Sequence, residues 1–112
     1  VGLTEDITRF IAKEGRLFVV SVGAVYNSEM IPEDFPLKDQ LQKSEQYHNG
    51  GTCIAGPDGR WVVEPVRDQK GIIWADLDLS EIIRQRQNFD PTGHYSRPDV
   101  LSLDVDKPRL AP

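Results

Sequence analysis

The chain is poor in the residues that define several common protein classes. Its single cysteine, Cys53, allows no internal disulfide and no cysteine-based metal cluster. No apolar run approaches the ~20 residues needed to span a bilayer. The start lacks the basic, then apolar, then small-residue order of a signal peptide. Positive charge is scarce as well: 13 Lys and Arg against 18 Asp and Glu leave a formal net charge of −5. That balance gives no electrostatic reason to expect nucleic acid or an acidic membrane as partner. His48 and His94, the two histidines, make no recognisable metal-ligand spacing, and nothing here implies a metal or an organic cofactor. Methionine is equally rare. The chain begins at Val1 and its one methionine is Met30, so the sequence reads as a piece of something longer.

What remains is material for one ordinary domain: 112 residues, 38% hydrophobic and 28% charged. A reduced, cytoplasmic location is expected. Residues 4 to 14 predict an amphipathic helix, because Ile7, Phe10 and Ile11 share one stripe. Thr4 is the expected N-cap, Glu5 and Asp6 suit the positive end of the dipole, and Gly15 suits a left-handed C-terminal position. The run from Leu17 to Val25 reads as a strand covered on both faces. Residues 27–49 lose all periodicity, carry Pro32 and Pro36, and are expected to form a loop excursion with at most one short helix near Leu37 to Ser44.

Thr52 to Ala55 and Trp61 to Val63 predict a hairpin, turned by Pro57-Asp58-Gly59. Gly71 to Leu77 reads as a further buried strand. Asp78 then opens a helix, with Glu81 three residues on in the manner of a capping box. Ile82 and Ile83 supply its apolar side, and Arg84 and Arg86 fall toward its negative end. After Pro98, Leu101, Leu103 and Val105 alternate with polar residues, as in a half-buried terminal strand. Residues 107–112 read as a flexible tail. The order is α/β: helix, strand, long loop, hairpin, strand, helix, terminal strand. It has a core problem, since two strands look buried on both faces while only two good helices are available to cover them.

Four stretches resemble the carbon–nitrogen hydrolases of the nitrilase superfamily. Ile11 to Val19, with Glu14-Gly15-Arg16 at its centre, is similar to the Ala-x-Glu-Gly-Arg-x-Phe-Val helix-to-strand passage. Gly50-Gly51-Thr52-Cys53-Ile54-Ala55-Gly56-Pro57-Asp58-Gly59 resembles the Gly-Gly-Ser-x-Ile-x-x-Pro-x-Gly hairpin. Gly71 to Leu79 looks like the strand leading into the last large helix. Gly93-His94-Tyr95-Ser96-Arg97-Pro98-Asp99-Val100 resembles the Gly-His-Tyr-x-Arg-Pro-Asp-Val motif of true nitrilases and cyanide-hydrolysing relatives. The four occur in the family's order.

The resemblance implies the C-terminal part of an αββα sandwich. It implies a Glu–Lys–Cys triad that converts a nitrile to a carboxylic acid and ammonia by covalent catalysis. In the family all three residues lie upstream of the Ala-x-Glu-Gly-Arg passage, within a Cys-Trp-Glu type motif for the cysteine, and no such motif exists here. The missing N-terminal part of the same chain is therefore an expected partner, a homo-oligomer is expected, and this stretch alone is expected to be inactive. The resemblance also brings the far end of the Leu17 to Val25 strand toward the pocket, making Gly23, Ala24, Val25 and Tyr26 candidate wall residues.

Several tempting residues have plainer readings. Cys53 lies in the hairpin strand without Trp-Glu after it, and reads as a buried small hydrophobe. Lys13 and Glu14 are adjacent at a helix end, so their side chains diverge by about 100°. Glu14 reads as a brace for the Gly15-Arg16 turn. His94 and Tyr95 read as part of a clasp fixing the C-terminal segment, with His94 held by local hydrogen bonds. Arg97 can pair with Asp90, with Asp99 or across a subunit contact. Asp76, Asp78 and Glu81 are explained by helix capping. A non-catalytic self-associating module of the same ancestry and an amidase or carbamoylase parent remain alternative readings.

Overall fold

A computed structural model of the chain describes residues 2–43 and 48–107. It is a mixed structure built on one antiparallel sheet. The first helix, α1 (Leu3–Gly15), is followed by β1 (Val19–Ser21) and β2 (Val25–Tyr26). A 3-10 turn (Ser28–Met30) and a short helix, α2 (Lys38–Lys43), precede the hairpin of β3 (His48–Ala55) and β4 (Trp61–Arg67). The last helix is α3 (Ser80–Arg86).

β3 is the central strand. It pairs with β1 and β2 on one side and with β4 on the other, all antiparallel. Val19↔Ala55, Ser21↔Cys53 and Val25↔Asn49 keep one register, so β1 and β2 are a single strand interrupted at residues 22–24. The interruption has a local cause. The Thr52 hydroxyl accepts from the Gly23 N–H at 3.0 Å and donates to the Gly23 carbonyl at 3.3 Å, standing in for ladder bonds. Gly50 N–H then donates to the Ala24 carbonyl at 3.0 Å and the ladder resumes. A Cβ on Gly23 would lie 2.1 Å from the Gly50 carbonyl oxygen, so only glycine permits this approach. Across β3, Thr52↔Val66 and Ile54↔Val63 set three steps of β4 against two of β3. Pro65 falls inside that bulge on the outer strand, where a missing N–H is tolerated.

The hairpin turn forms as its residues dictate. Gly59 takes φ +80°, its N–H donates to the Gly56 carbonyl at 2.8 Å, and the Asp58 carboxylate accepts from the Arg60 N–H at 2.9 Å.

α1 covers one face of the sheet through small side chains. Thr8 and Ala12, four residues apart, are buried against Cys53 and Ala55. The predicted stripe lies on the other side: Leu3, Ile7, Phe10 and Ile11 are all exposed. Cap positions also differ from expectation. Thr4 lies inside the helix, which starts after Gly2, and no side chain caps it. The left-handed residue is Arg16, at φ 51°, and not Gly15. Gly15 is needed for space, since a Cβ there would sit 2.9 Å from the Leu17 side chain.

Beyond the hairpin two expected strands are missing. Residues 71–77 show a strand's alternation, with Ile73, Ala75 and Leu77 half-buried and Ile72 and Trp74 exposed, but they form no ladder. Leu101, Leu103 and Val105 are all exposed, where a half-buried terminal strand was expected, and residues 101–107 likewise form no ladder with any described residue. A strand exists only through a partner's N–H and C=O groups, and neither segment has one among the described residues. Lys107 has no regular structure, and residues 108–112 of the expected tail, like 44–47 of the expected excursion, lie outside the described residues. Within the excursion the single expected short helix is α2, while β3 begins at His48, earlier than the predicted Thr52.

The surface quantifies the shortage of cover. The chain exposes 9309 Å², against about 6,200 Å² for a compact protein of its mass. Its radius of gyration is 19.6 Å, where about 13 Å is usual for this length. The buried apolar residues are small or few: Ala12, Ile31, Cys53, Ile54 and Ala55. The run expected to be covered on both faces leaves Val20 57% and Val22 81% exposed.

Candidate functional site

The interruption at residues 22–24 is where the structure opens a cavity of about 420 Å³. Gly23 and Ala24 wall it from the end of β1, and Gly50 and Gly51 from the start of β3. Both glycines of β3 have strongly positive φ, +95° and +92°, a backbone that side chains resist. Thr4 and Glu5 reach it from the first turn of α1, and Arg67 from the end of β4. Glu5 and Arg67 are joined there by an ion pair and hydrogen bond. Their side chains are 22% and 35% exposed, so the pair is largely out of water.

The other two predicted wall residues lie elsewhere. Val25 and Tyr26 line a second cavity of about 560 Å³, with Asp68 and Lys70 opposite. His48 and Asn49 border both cavities, so the two are neighbours along β3. Sequence reading did not bring Glu5 and Arg67 together. Glu5 was accounted for by the helix dipole, and 62 residues separate it from Arg67; opposite charges so far apart leave no local pattern.

Cys53 is fully buried in the seam under α1. Burial raises its thiol pKa above the ordinary range, against smaller lowering effects of hydrogen bonds with Thr8 and Ser21. A neutral, covered thiol is a poor nucleophile. Lys13 instead packs its stem near Gly59, 3.1 Å from where a Cβ there would lie, and Glu14 is exposed. Neither approaches the cavity.

The two outer motifs meet through rings. The Arg16 guanidinium lies 5.5 Å from the centre of the Phe89 ring, and its Nη1 donates to Gln85 Oε1 at 3.3 Å. Phe89 contacts Tyr95 at 5.0 Å, and Tyr95 contacts His94 at 4.6 Å between ring centres. A column therefore runs from the end of α1 to the Gly93 to Val100 segment. Ring contact holds His94, where local hydrogen bonds were expected. Of the partners open to Arg97, the structure selects Asp99, with bonds of 2.8 and 2.6 Å. The pairing holds the Asp99 carboxyl below its usual range. Pro98 lies between the two, in a turn closed by the Val100 N–H on the Arg97 carbonyl at 3.0 Å.

At the start of α3 the N-cap is Leu79, with no side-chain cap bond, where Asp78 was expected; Asp78 lies one residue further out. Its carboxylate accepts from the Ser80 N–H at 2.9 Å, and bonding to Ser80 lowers its pKa. Glu81 does not complete a capping box; it pairs with Arg84. Asp76 is exposed. Pro57 is buried beneath the hairpin turn. Among the described residues no group of three or more His, Cys, Asp or Glu is arranged to hold a metal, and no helix is long and apolar enough to cross a membrane.

An antiparallel sheet of this topology, with α1 packed on one face, is a mixed helix-and-strand segment of the kind found in α/β sandwich proteins. The carbon-nitrogen hydrolase family profile matches residues 5–87, and the chain belongs to that family. Similar proteins include an aliphatic nitrilase of Rhodococcus rhodochrous, 43% identical over 106 residues. An arylacetonitrilase of Fusarium vanettenii is 36% identical over 107 residues, and nitrilase 3 of Arabidopsis thaliana is 35% identical over 102. These alignments take in 94%, 92% and 87% of this chain, but 29%, 31% and 30% of the relatives. The chain thus spans roughly three-tenths of the length of the curated relatives it matches.

Proposed function

We propose that this chain is the C-terminal segment of a nitrilase-branch hydrolase that converts a nitrile and two waters to a carboxylic acid and ammonia. Kinship with nitrilases along nearly the whole chain carries the reading. In it the Glu–Lys–Cys triad comes from upstream sequence: the thiolate attacks the nitrile carbon, the carboxylate moves protons and the lysine steadies the developing charge. This segment supplies sheet, subunit contacts and pocket wall, with Gly23 and Ala24 on one cavity and Val25 and Tyr26 on its neighbour. A homo-oligomer, dimer or spiral, uses the outer face of α1 and the stretch after Pro98, both of which are apolar and exposed. Residence is cytoplasmic, which a single unpaired buried thiol suits.

A self-associating, non-catalytic module is the second reading, and the same exposed faces favour it. The test is ammonia release. The purified 112-residue chain is expected to release none from aliphatic, aromatic or arylacetonitriles or from cyanide, while the same chain joined to its upstream sequence does. Turnover by the short chain would overturn the upstream triad. A cooperative melt of a defined dimer, with no activity in the longer chain, would establish the module.

A further inference from the structure

The cavity at the end of β1 has an unusual floor for a site meant to take an apolar chain or an aryl ring. Of its wall residues only Val22 and Ala24 are apolar; the rest are glycine, hydroxyl, amide, charged, or the His48 imidazole. Its dominant feature is Glu5 bound to Arg67, drawn from the two ends of the described sheet and helix and held mostly out of water. Drawing charge out of water is unfavourable unless each remaining donor and acceptor is met. An aryl substituent entering here would strip water from the pair and return nothing.

A hydrogen-bond acceptor would behave differently. A guanidinium offers five N–H donors in a fixed fork. Here one terminal nitrogen, Nη2, is committed to Glu5. A carboxylate or carbonyl on the incoming molecule can take donors that Glu5 leaves, in the bidentate manner Arg favours. Thr4 and Ser21 add hydroxyls to the same walls. About 420 Å³ is within the usual range of small-molecule pockets.

We infer that the Glu5–Arg67 pair makes this cavity a polar subsite, and that the substrates are small nitriles carrying a carboxylate or similar acceptor. The inference rests on the nitrilase reading, since it assigns the substrate class of the pocket that Gly23 and Ala24 wall. Arg67 receives the acceptor; Glu5 competes for the same guanidinium and holds it in place. The two residues therefore act on selectivity in opposite directions.

The experiment uses the longer enzyme and compares kcat/KM for 3-cyanopropanoate with that for butyronitrile, by ammonia release. The unaltered enzyme is expected to favour 3-cyanopropanoate. Arg67→Gln should lower the ratio at least about tenfold, and Glu5→Gln should raise it several-fold by removing the competing carboxylate. Arg67→Lys, which keeps the charge but not the fork, should fall between and serves if Arg67→Gln does not fold. A structural ion pair would move both substrates together; ratios left unchanged in Glu5→Gln and in the Arg67 variants overturn the inference. So does a preference of the unaltered enzyme for butyronitrile. No ammonia from any nitrile overturns the nitrilase reading and the substrate class with it.

Discussion

Modification of Cys53 measures whether the seam between α1 and the sheet holds in solution. The thiol has no exposed surface, so a disulfide reagent reaches it only when α1 lifts from β3. Lifting re-exposes Ala12, Cys53 and Ala55, which are all buried at that seam. It also breaks the bond from Arg9 Nε to the Gly59 carbonyl, 2.9 Å long. Small apolar surfaces of this kind, on the order of 150 Å² at about 25 cal/mol per Å², cost about 4 kcal/mol to expose. That corresponds to labelling slower by a factor on the order of 10³ than in urea-unfolded chain, since each 1.4 kcal/mol is tenfold. The raised thiol pKa acts in the same direction, because the thiolate is the reacting form. The assay follows release of the reagent's chromophore at neutral pH, with and without urea. A native rate within tenfold of the unfolded rate would refute the closed seam and return Cys53 to the list of reactive candidates.

Gly23→Ala places a Cβ 2.1 Å from the Gly50 carbonyl oxygen. The strand must shift, and a loss of about 1–3 kcal/mol is expected, read as a lower urea midpoint. Gly51→Ala meets no atom within 4 Å, so any cost there comes from its φ of +92° alone. The bond from the Ser80 N–H to the Asp78 carboxylate has a pH signature. The carboxylate's pKa is lowered in the folded chain by bonding to Ser80, so its contribution is present above the unfolded value near 3.9 and is lost as pH falls through the folded value. Hydrogen exchange at the Ser80 amide should therefore lose its protection selectively below about pH 4, and Asp78→Asn should flatten that dependence.

How much of this was legible in the sequence varies with the range of the forces involved. Local chemistry was readable: the Pro57-Asp58-Gly59 turn and the helix over residues 4 to 14 both depend on near neighbours, although the cap of α3 fell to Leu79 and not to Asp78. The strand character of Leu17 to Val25 was readable in part, in β1 and β2, but neither its interruption beside Thr52 nor its open face was. Which side of α1 meets the sheet was not readable. The apolar stripe of Ile7 and Phe10 pointed one way, while close packing selected the small side chains of Thr8 and Ala12. The Glu5–Arg67 pair depends on a helix and a strand brought together across 62 residues, and both cavities likewise join distant stretches of chain. No local pattern encodes that.

The failed strands are as informative as the formed ones. Residues 71–77 and 101–105 have the composition and alternation of strands, yet no ladder, because a strand is a property of a pair. Relative to a compact protein of its mass the chain carries an excess of about 3,100 Å² of surface. A standard protein interface buries only about 800 Å² on each partner. A transient partner would leave most of the excess wet. Cover on this scale belongs to obligate associations, which bury 2,000–5,000 Å² or more in total and resemble a core cut in two. Trp74 at 78% exposure and Ile72 at 95%, two residues apart in a segment that forms no ladder, are large apolar side chains that such cover would bury.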